Sequence, residues 1–160
     1  MNKQKQKQIV LTITMVYTTI MVYWMLWGFR RITYTDHQYN FIPFRAISGF
    51  FEKYIVHIKE MPDIAKNELW YFAVNIFGNI GMFIPFGVLL TILFNGSLKK
   101  AFSIFIFGVL MLEATQLISY RGVFDVDDIL LNTIGFLIGY SMIKARSIYK
   151  KSPNQALPLM

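Results

Sequence analysis

The residues best suited to chemistry in this sequence are polar side chains that interrupt apolar segments. Glu113 is the one charge in the run from 101 to 120, and Gln116 follows three positions later on the same helical face. A carboxylate inside a membrane helix is costly unless it is paired, protonated or facing water. Glu113 is therefore a candidate general base, or a hydrogen-bonding partner for a neighbouring helix.

Three aspartates, Asp125, Asp127 and Asp128, follow in a short connection. Their mutual repulsion predicts a compensating cation, which could be Arg121, a divalent metal ion or a ligand amine. Asp125 is also placed to cap the next helix, since a carboxylate is favoured at a helix N-terminus. Asn132 stands four positions after Asp128, and both are expected to face the bundle interior.

Small residues in two of the apolar runs predict where helices approach each other. Gly78 and Gly81 are expected to allow close approach of a second helix, and Gly135 and Gly139 form a small-xxx-small pair. Pro85 is expected to kink its helix near the middle of the membrane and to free backbone carbonyls for other partners.

The composition indicates which elements position these residues. The 160-residue chain is 55% hydrophobic and 16% charged and contains no cysteine, which is typical of a membrane domain without disulfides. We predict one all-α domain over residues 1–160, a four-helix transmembrane bundle. The first helix is expected to remain as an anchor, because its apolar run is too long for a signal peptide. The predicted helices are approximately 9–29, 70–94, 101–120 and 129–146.

A long segment, 30–69, joins the first two helices and is expected to be extracellular. Residues 47–59 predict an amphipathic helix that lies on the membrane surface or packs as a cap over the bundle. Nine basic residues and no acidic one fall on the side of both termini, against seven basic and eight acidic on the other. The positive-inside rule therefore places both termini in the cytoplasm of a multi-pass plasma-membrane protein. No basic face is formed, so nucleic-acid binding is not expected.

With this orientation the polar residues share one depth, in the outer half of the membrane or just above it. Hydrogen bonds scattered between helices would instead place polar groups in both leaflets. Asn75 and Asn79, four positions apart, share one face of the second helix. The sequence predicts one outward-facing ligand site, formed by Asn75, Asn79, Glu113, Gln116, Arg121, Asp125, Asp128 and Asn132.

These residues belong to motifs that resemble the VanZ-like family of small membrane proteins. The resemblance implies an association with low-level resistance to teicoplanin, a lipidated glycopeptide that acts on cell-wall precursors at the outer membrane face. It implies no established catalytic role for any residue. The similar motifs are Asn40–Phe44, Asn75–Asn79, Phe83–Gly87, Glu113–Gln116, Arg121 and Asp125–Gly135.

Two functions are compatible with the sequence. A binding protein would hold a membrane lipid, a lipid-linked cell-wall precursor or the glycopeptide, with Arg121 contacting an anionic group. An intramembrane hydrolase or transferase would use Glu113 as base and a divalent cation held by Asp125, Asp127 and Asp128. Binding is favoured, because the predicted helices contain no histidine and no nucleophile motif. A transporter has less support, since four helices show no inverted repeat, unless the protein forms a homo-oligomer.

Overall fold

The part of the chain that the structure describes folds into five α-helices and a two-stranded parallel ribbon. The computed structural model describes residues 2–28 and 33–151, with the backbone alone for 46 and 147–151. Within these residues, the first, third, fourth and fifth helices are long and apolar enough to cross a membrane, which confirms the predicted all-α architecture with four spans. In chain order the helices and strands are α1 Lys3–Trp27, β1 Gln38–Asn40, α2 Arg45–Glu60, α3 Pro62–Leu93, α4 Leu98–Ile118, β2 Val123–Asp125 and α5 Val126–Lys151.

The observed helices differ from the prediction mainly at their ends. α3 begins at Pro62, eight residues before the predicted start, because proline suits the first helical position and Asp63 follows in the first turn. Its first two turns are polar, so hydropathy placed the boundary too late. α5 begins at Val126 and ends at Lys151, both outside the predicted 129–146. Phe29, the predicted end of the first helix, lies outside the described residues, as do Arg30 and Arg31.

The segment between α1 and α3 contains the helix that its amphipathic pattern predicted. α2 packs on α3, with the rings of Phe50 and Phe72 stacked at 3.9 Å. His57 Nδ1 lies 3.0 Å from Glu68 Oε2 and adds a polar contact between the same two helices. One face of α2 is thus packed, whereas Phe51 keeps 51% of its surface exposed.

The closest helix–helix approach joins α3 to α5 through three glycines. A Cβ atom at Gly87, Gly135 or Gly139 would stand within 2.2 Å of a carbonyl oxygen of the opposite helix. The predicted tight contact at Gly135 and Gly139 is therefore confirmed. The prediction for Gly78 and Gly81 is wrong, because no other part of the described chain lies within 4 Å of a Cβ at either position. Those two glycines face away from α5, and Gly87 takes their place.

α3 continues as one helix through Pro85, and the kink stays a prediction. The Tyr17 hydroxyl of α1 donates to the carbonyl of Met82 at 2.8 Å, next to the Gly81 carbonyl that proline leaves without its helical donor. In the bundle interior the helices also pack through aromatic rings, such as Phe105 and Phe136, whose centroids are 4.4 Å apart. An apolar core therefore supports the polar end of the bundle, which we define as the end where α4 finishes and α5 begins.

Candidate functional site

The ribbon ties the segment after α1 to the connection between α4 and α5. β1 pairs with β2 in parallel, and Asn40 is the register partner of Asp125. The Asn40 side chain donates from Nδ2 to Asp125 Oδ1 at 3.0 Å. Its own Oδ1 accepts the backbone N–H of Ile42 at 3.2 Å, which turns the chain towards α2. One asparagine thus fixes both the pairing of the strands and the path that leaves them.

Asp125 caps α5, as the sequence predicts. Its Oδ1 accepts the N–H of Asp127, the second residue of the helix, at 2.8 Å, which satisfies a donor that the helix cannot use internally. The backbone N–H of Asp125 donates to Glu113 Oε2 at 3.2 Å. Glu113 has no exposed surface, so its carboxylate lies inside the bundle and reaches the start of α5 from α4.

The other two aspartates have different partners. Asp127 is 5% exposed and accepts the backbone N–H of Phe44 at 2.5 Å. Asp128 accepts the side-chain amide of Asn79 at 2.7 Å. We call the hydrogen-bonded set of Asn40, Glu113, Asp125 and Asp127 the polar network.

The three aspartates have separate partners, and this arrangement does not favour them as the candidate metal ligands. Asp125, the last residue of β2, accepts from Asn40 across the ribbon. In the first turn of α5, Asp127 accepts from the start of α2 and Asp128 accepts from α3. Across residues 2–28 and 33–151, no group of three acidic, histidine or cysteine side chains is placed to hold a metal ion. The helical rotation of about 100° per residue separates carboxylates that are close in sequence.

Among the described residues, Arg121 forms no ion pair with the aspartates that it was expected to neutralise. Its guanidinium stands over the Trp27 ring, 5.3 Å from the centroid, in a cation–π contact with α1. The backbone causes this placement: Tyr120 has a left-handed φ of 57°, and the N–H of Arg121 donates to the Gln116 carbonyl at 3.1 Å. Arg121 therefore closes the end of α4 and contacts the end of α1.

A second link between these segments was not predicted from the sequence. His37 Nδ1 lies 2.9 Å from the carbonyl of Leu117 and must donate to it, because a carbonyl only accepts. In the neutral ring Nε2 then accepts from the Tyr120 hydroxyl at 3.0 Å. The two rings also stack at 4.3 Å. The segment after α1 is thus attached to the end of α4 as well as to β2.

Gln116 and Asn132 are buried members of the predicted site, as Glu113 is. Gln116 is 2% exposed, and its Nε2 donates to the Met25 carbonyl at 3.4 Å. Asn132 is fully buried, and neither atom of its amide has a hydrogen-bond partner among the side chains and backbone that the structure describes. An unsatisfied buried amide costs about 1–3 kcal/mol, so Asn132 lowers the stability of the folded protein relative to an apolar residue of similar size.

Replacing Asn132 by leucine is expected to raise the melting temperature of the protein. Leucine has a similar volume and removes the unsatisfied amide from apolar surroundings that include Phe136 one turn away. Thermal unfolding of the purified protein in detergent measures the effect. A matched Asn79→Leu variant should instead lose stability, because it removes the 2.7 Å hydrogen bond to Asp128. A lower melting temperature for Asn132→Leu would show that the amide is satisfied.

Asn75 belongs to an open groove and not to the polar network. This groove lies where α2 begins, between α3 and α5, and has a volume of about 320 Å³. Its walls are mainly apolar, with Asn75 and Asp127 as the polar groups. The lining residues are Phe44, Ile47, Tyr71, Phe72, Asn75, Ile76, Asp127, Leu130, Leu131 and Ile134.

The predicted set is therefore divided into an open part and a buried part. Asn75 lines the groove, whereas Glu113, Gln116 and Asn132 are at most 2% exposed. Asn40 and Phe44 were not among the residues predicted to form the site. Both lie in a motif that resembles the VanZ-like family, and that motif was the available signal.

These features define a multi-pass helical membrane protein whose polar network lies at one end of its bundle. The profile of the VanZ/LLP1 family matches residues 9–148, and the chain belongs to this family. Comparison with curated proteins and with solved structures gave no match.

Proposed function

We propose that this protein binds a lipid or lipid-linked cell-envelope precursor in the groove, and so modulates susceptibility to teicoplanin. The observation that carries the proposal is the groove itself, about 320 Å³ of mainly apolar surface with Asn75 and Asp127 on its wall. Apolar walls with a few convergent polar groups are typical of sites for amphiphilic ligands. A hydrocarbon chain would contact Leu130 and Ile134, and a polar group would contact Asn75.

The proposed location follows from charge. Basic residues dominate the side of both termini, so we place the termini in the cytoplasm and the polar end at the outer face of the plasma membrane. Lipid-linked precursors of the cell wall, on which the glycopeptide acts, would then meet the groove from the outer leaflet.

In this proposal the polar network shapes the groove, and Asp127 is its member on the groove wall. The hydrogen bond from Phe44 to Asp127 holds the start of α2 against α5, and Asp125 fixes the first turn of α5. Glu113 supports that turn from inside the bundle. A ligand thus meets a preorganised wall, which lowers the cost of ordering on binding.

The alternative function, an intramembrane enzyme, has less support. Glu113 has no exposed surface and accepts the N–H of Asp125, so a headgroup would reach it only after the polar network had opened. The aspartates expected to hold a metal have separate partners.

Filling the groove is expected to abolish the effect on susceptibility. Ile134 lines the groove and is 46% exposed, so Ile134→Trp adds volume there without entering the core. In a susceptible Gram-positive host, wild type should lower both teicoplanin susceptibility and the amount of fluorescent teicoplanin bound at the surface. Ile134→Trp should behave as the empty vector does.

The matched control is Ile138→Trp, one turn along α5 and 40% exposed, but outside the groove. It should retain the wild-type susceptibility, provided both variants reach the membrane in equal amounts. If wild type and empty vector give the same susceptibility and surface binding, the proposal fails. If both tryptophan variants are inactive, the groove is not the determining site.

A further inference from the structure

A second cavity adjoins the groove and differs from it in charge. Its volume is about 400 Å³, and Tyr71 and Phe72 line both spaces. Where the groove has Asn75 and Asp127, the second cavity has two cations, Arg45 and Lys53. The complete lining is Arg45, Gly49, Phe50, Lys53, Glu68, Tyr71 and Phe72.

The spacing along α2 places the two cations around a gap. Arg45, Gly49 and Lys53 are four residues apart in turn, so they lie along one helical face. Gly49 is midway, about 6 Å along the axis from each neighbour. No other described part of the chain lies within 4 Å of a Cβ atom placed on Gly49. A ligand group above the glycine is thus within reach of both long side chains.

The two cations of this cavity outnumber its one carboxylate, Glu68. Within the part of the chain that the structure describes, neither Arg45 nor Lys53 forms an ion pair. The one carboxylate of the lining, Glu68, is directed to His57, with Nδ1 and Oε2 3.0 Å apart. The cavity therefore presents two cations to a ligand, next to a groove with apolar walls.

We propose that this cavity holds the phosphate of an anionic lipid, between Arg45 and Lys53 and above Gly49, while the hydrocarbon chain of the same lipid occupies the groove. The inference rests on the proposed function for the position of the lipid's hydrocarbon chain in the groove. It adds the chemical class of the lipid headgroup. An arginine fork and a lysine ammonium both suit phosphate oxygens. Free phosphate would use the two cations but would gain nothing from the groove.

The test compares two lipids with identical chains, phosphatidylglycerol and phosphatidylcholine, titrated into purified full-length protein in maltoside micelles. Native mass spectrometry measures the bound fraction. Wild type should prefer phosphatidylglycerol by about tenfold, as expected for two charge-assisted contacts at a partly exposed site. The double variant Arg45→Gln/Lys53→Gln should bind both lipids equally, because it loses more affinity for phosphatidylglycerol than for phosphatidylcholine, whose choline cation offsets the charge of its phosphate.

Two further variants separate the site from net charge. Lys59→Gln/Lys66→Gln removes the same charge from exposed positions outside the cavity and should keep the preference. Gly49→Leu removes no charge but fills the gap, and it should reduce the preference for phosphatidylglycerol. A double variant Arg45→Gln/Lys53→Gln that keeps the tenfold preference would overturn the proposal, as would equal losses in the two double variants.

The remaining arms distinguish this inference from the proposed function and from free phosphate. Ile134→Trp should weaken binding of both lipids, because the tryptophan side chain occupies the part of the groove proposed for the hydrocarbon chain. If it changes neither lipid while Arg45→Gln/Lys53→Gln still removes the preference, the groove fails and the headgroup site stands. Inorganic phosphate at millimolar concentration should not displace phosphatidylglycerol; displacement would show that the cations bind free phosphate and would overturn the lipid assignment.

Discussion

Replacing Gly139 by leucine is expected to prevent the bundle from assembling. A Cβ atom at this position would stand 2.1 Å from the carbonyl oxygen of Ile84 and 3.0 Å from the Cα atom of Gly87. Both contacts are with backbone, which cannot rotate aside as a side chain can. α3 and α5 would have to separate along their length, and an overpacked interior costs about 1–3 kcal/mol even when only side chains must move.

Size-exclusion chromatography of detergent-solubilised protein measures this effect as loss of the monodisperse peak. Gly108→Leu is the matched control, since nothing in the described chain lies within 4 Å of a Cβ at Gly108 in α4. That variant should elute and unfold as wild type does. A Gly139→Leu protein with wild-type elution and melting temperature would show that α3 and α5 are farther apart than the structure has them.

The sequence was sufficient for the four spans because hydropathy and length determine them. Predominantly apolar runs of about 20 residues match the hydrocarbon core, and this condition holds whatever the helices pack against. The same reasoning failed at the start of α3, where Pro62 and Asp63 begin a helix that extends beyond the apolar run. Helix ends depend on caps and local contacts, which hydropathy does not detect.

The sequence also predicted which polar residues share a helical face. Glu113 and Gln116 are both buried, and Asp125 caps α5, because spacing and capping are local properties. The pairing of Asn40 with Asp125 could not be predicted in this way. The two residues are 85 positions apart, and only the register of the ribbon brings them together.

Glycines show the same difference between local and tertiary information. The pattern of small residues identified helices that approach closely, but it did not show which face of α3 meets α5. That face carries Gly87 and not Gly78 or Gly81. For Arg121, proximity in sequence favoured the aspartates, whereas the turn at Tyr120 directs the guanidinium to Trp27.

The division of the polar residues changes what each can do. A ligand in the groove can contact Asn75 and Asp127, whereas Glu113 and Asn132 are enclosed by helices. Substitutions in the buried part should therefore destabilise the fold, and any loss of ligand binding should result from that destabilisation. Substitutions in the open part should affect binding with little change in stability.

Asp125→Ala is expected to lower the unfolding free energy by about 3 kcal/mol, since hydrogen bonds to charged groups contribute about 1.5–3 kcal/mol each. The carboxylate accepts both the Asn40 amide and the Asp127 N–H, so one substitution releases the ribbon and the first turn of α5 together. Both donors are partly or fully buried, so water does not readily replace the lost carboxylate as their hydrogen-bond acceptor. Asp125→Asn keeps an oxygen acceptor and should lose less.

Thermal unfolding in detergent, followed by far-UV circular dichroism, measures the loss, and Asp63→Ala is the matched control. Asp63 is also an aspartate in the N-terminal region of a helix, but its side chain is 93% exposed and its ion pair with Lys66 lies at the surface. Exposed pairs of this kind contribute little, so Asp63→Ala should unfold close to wild type. Equal destabilisation by the two alanine variants would mean that Asp125 acts only as a first-turn charge. A selective loss for Asp125→Ala, with weaker lipid binding, would instead indicate that the ribbon holds the wall of the groove in place.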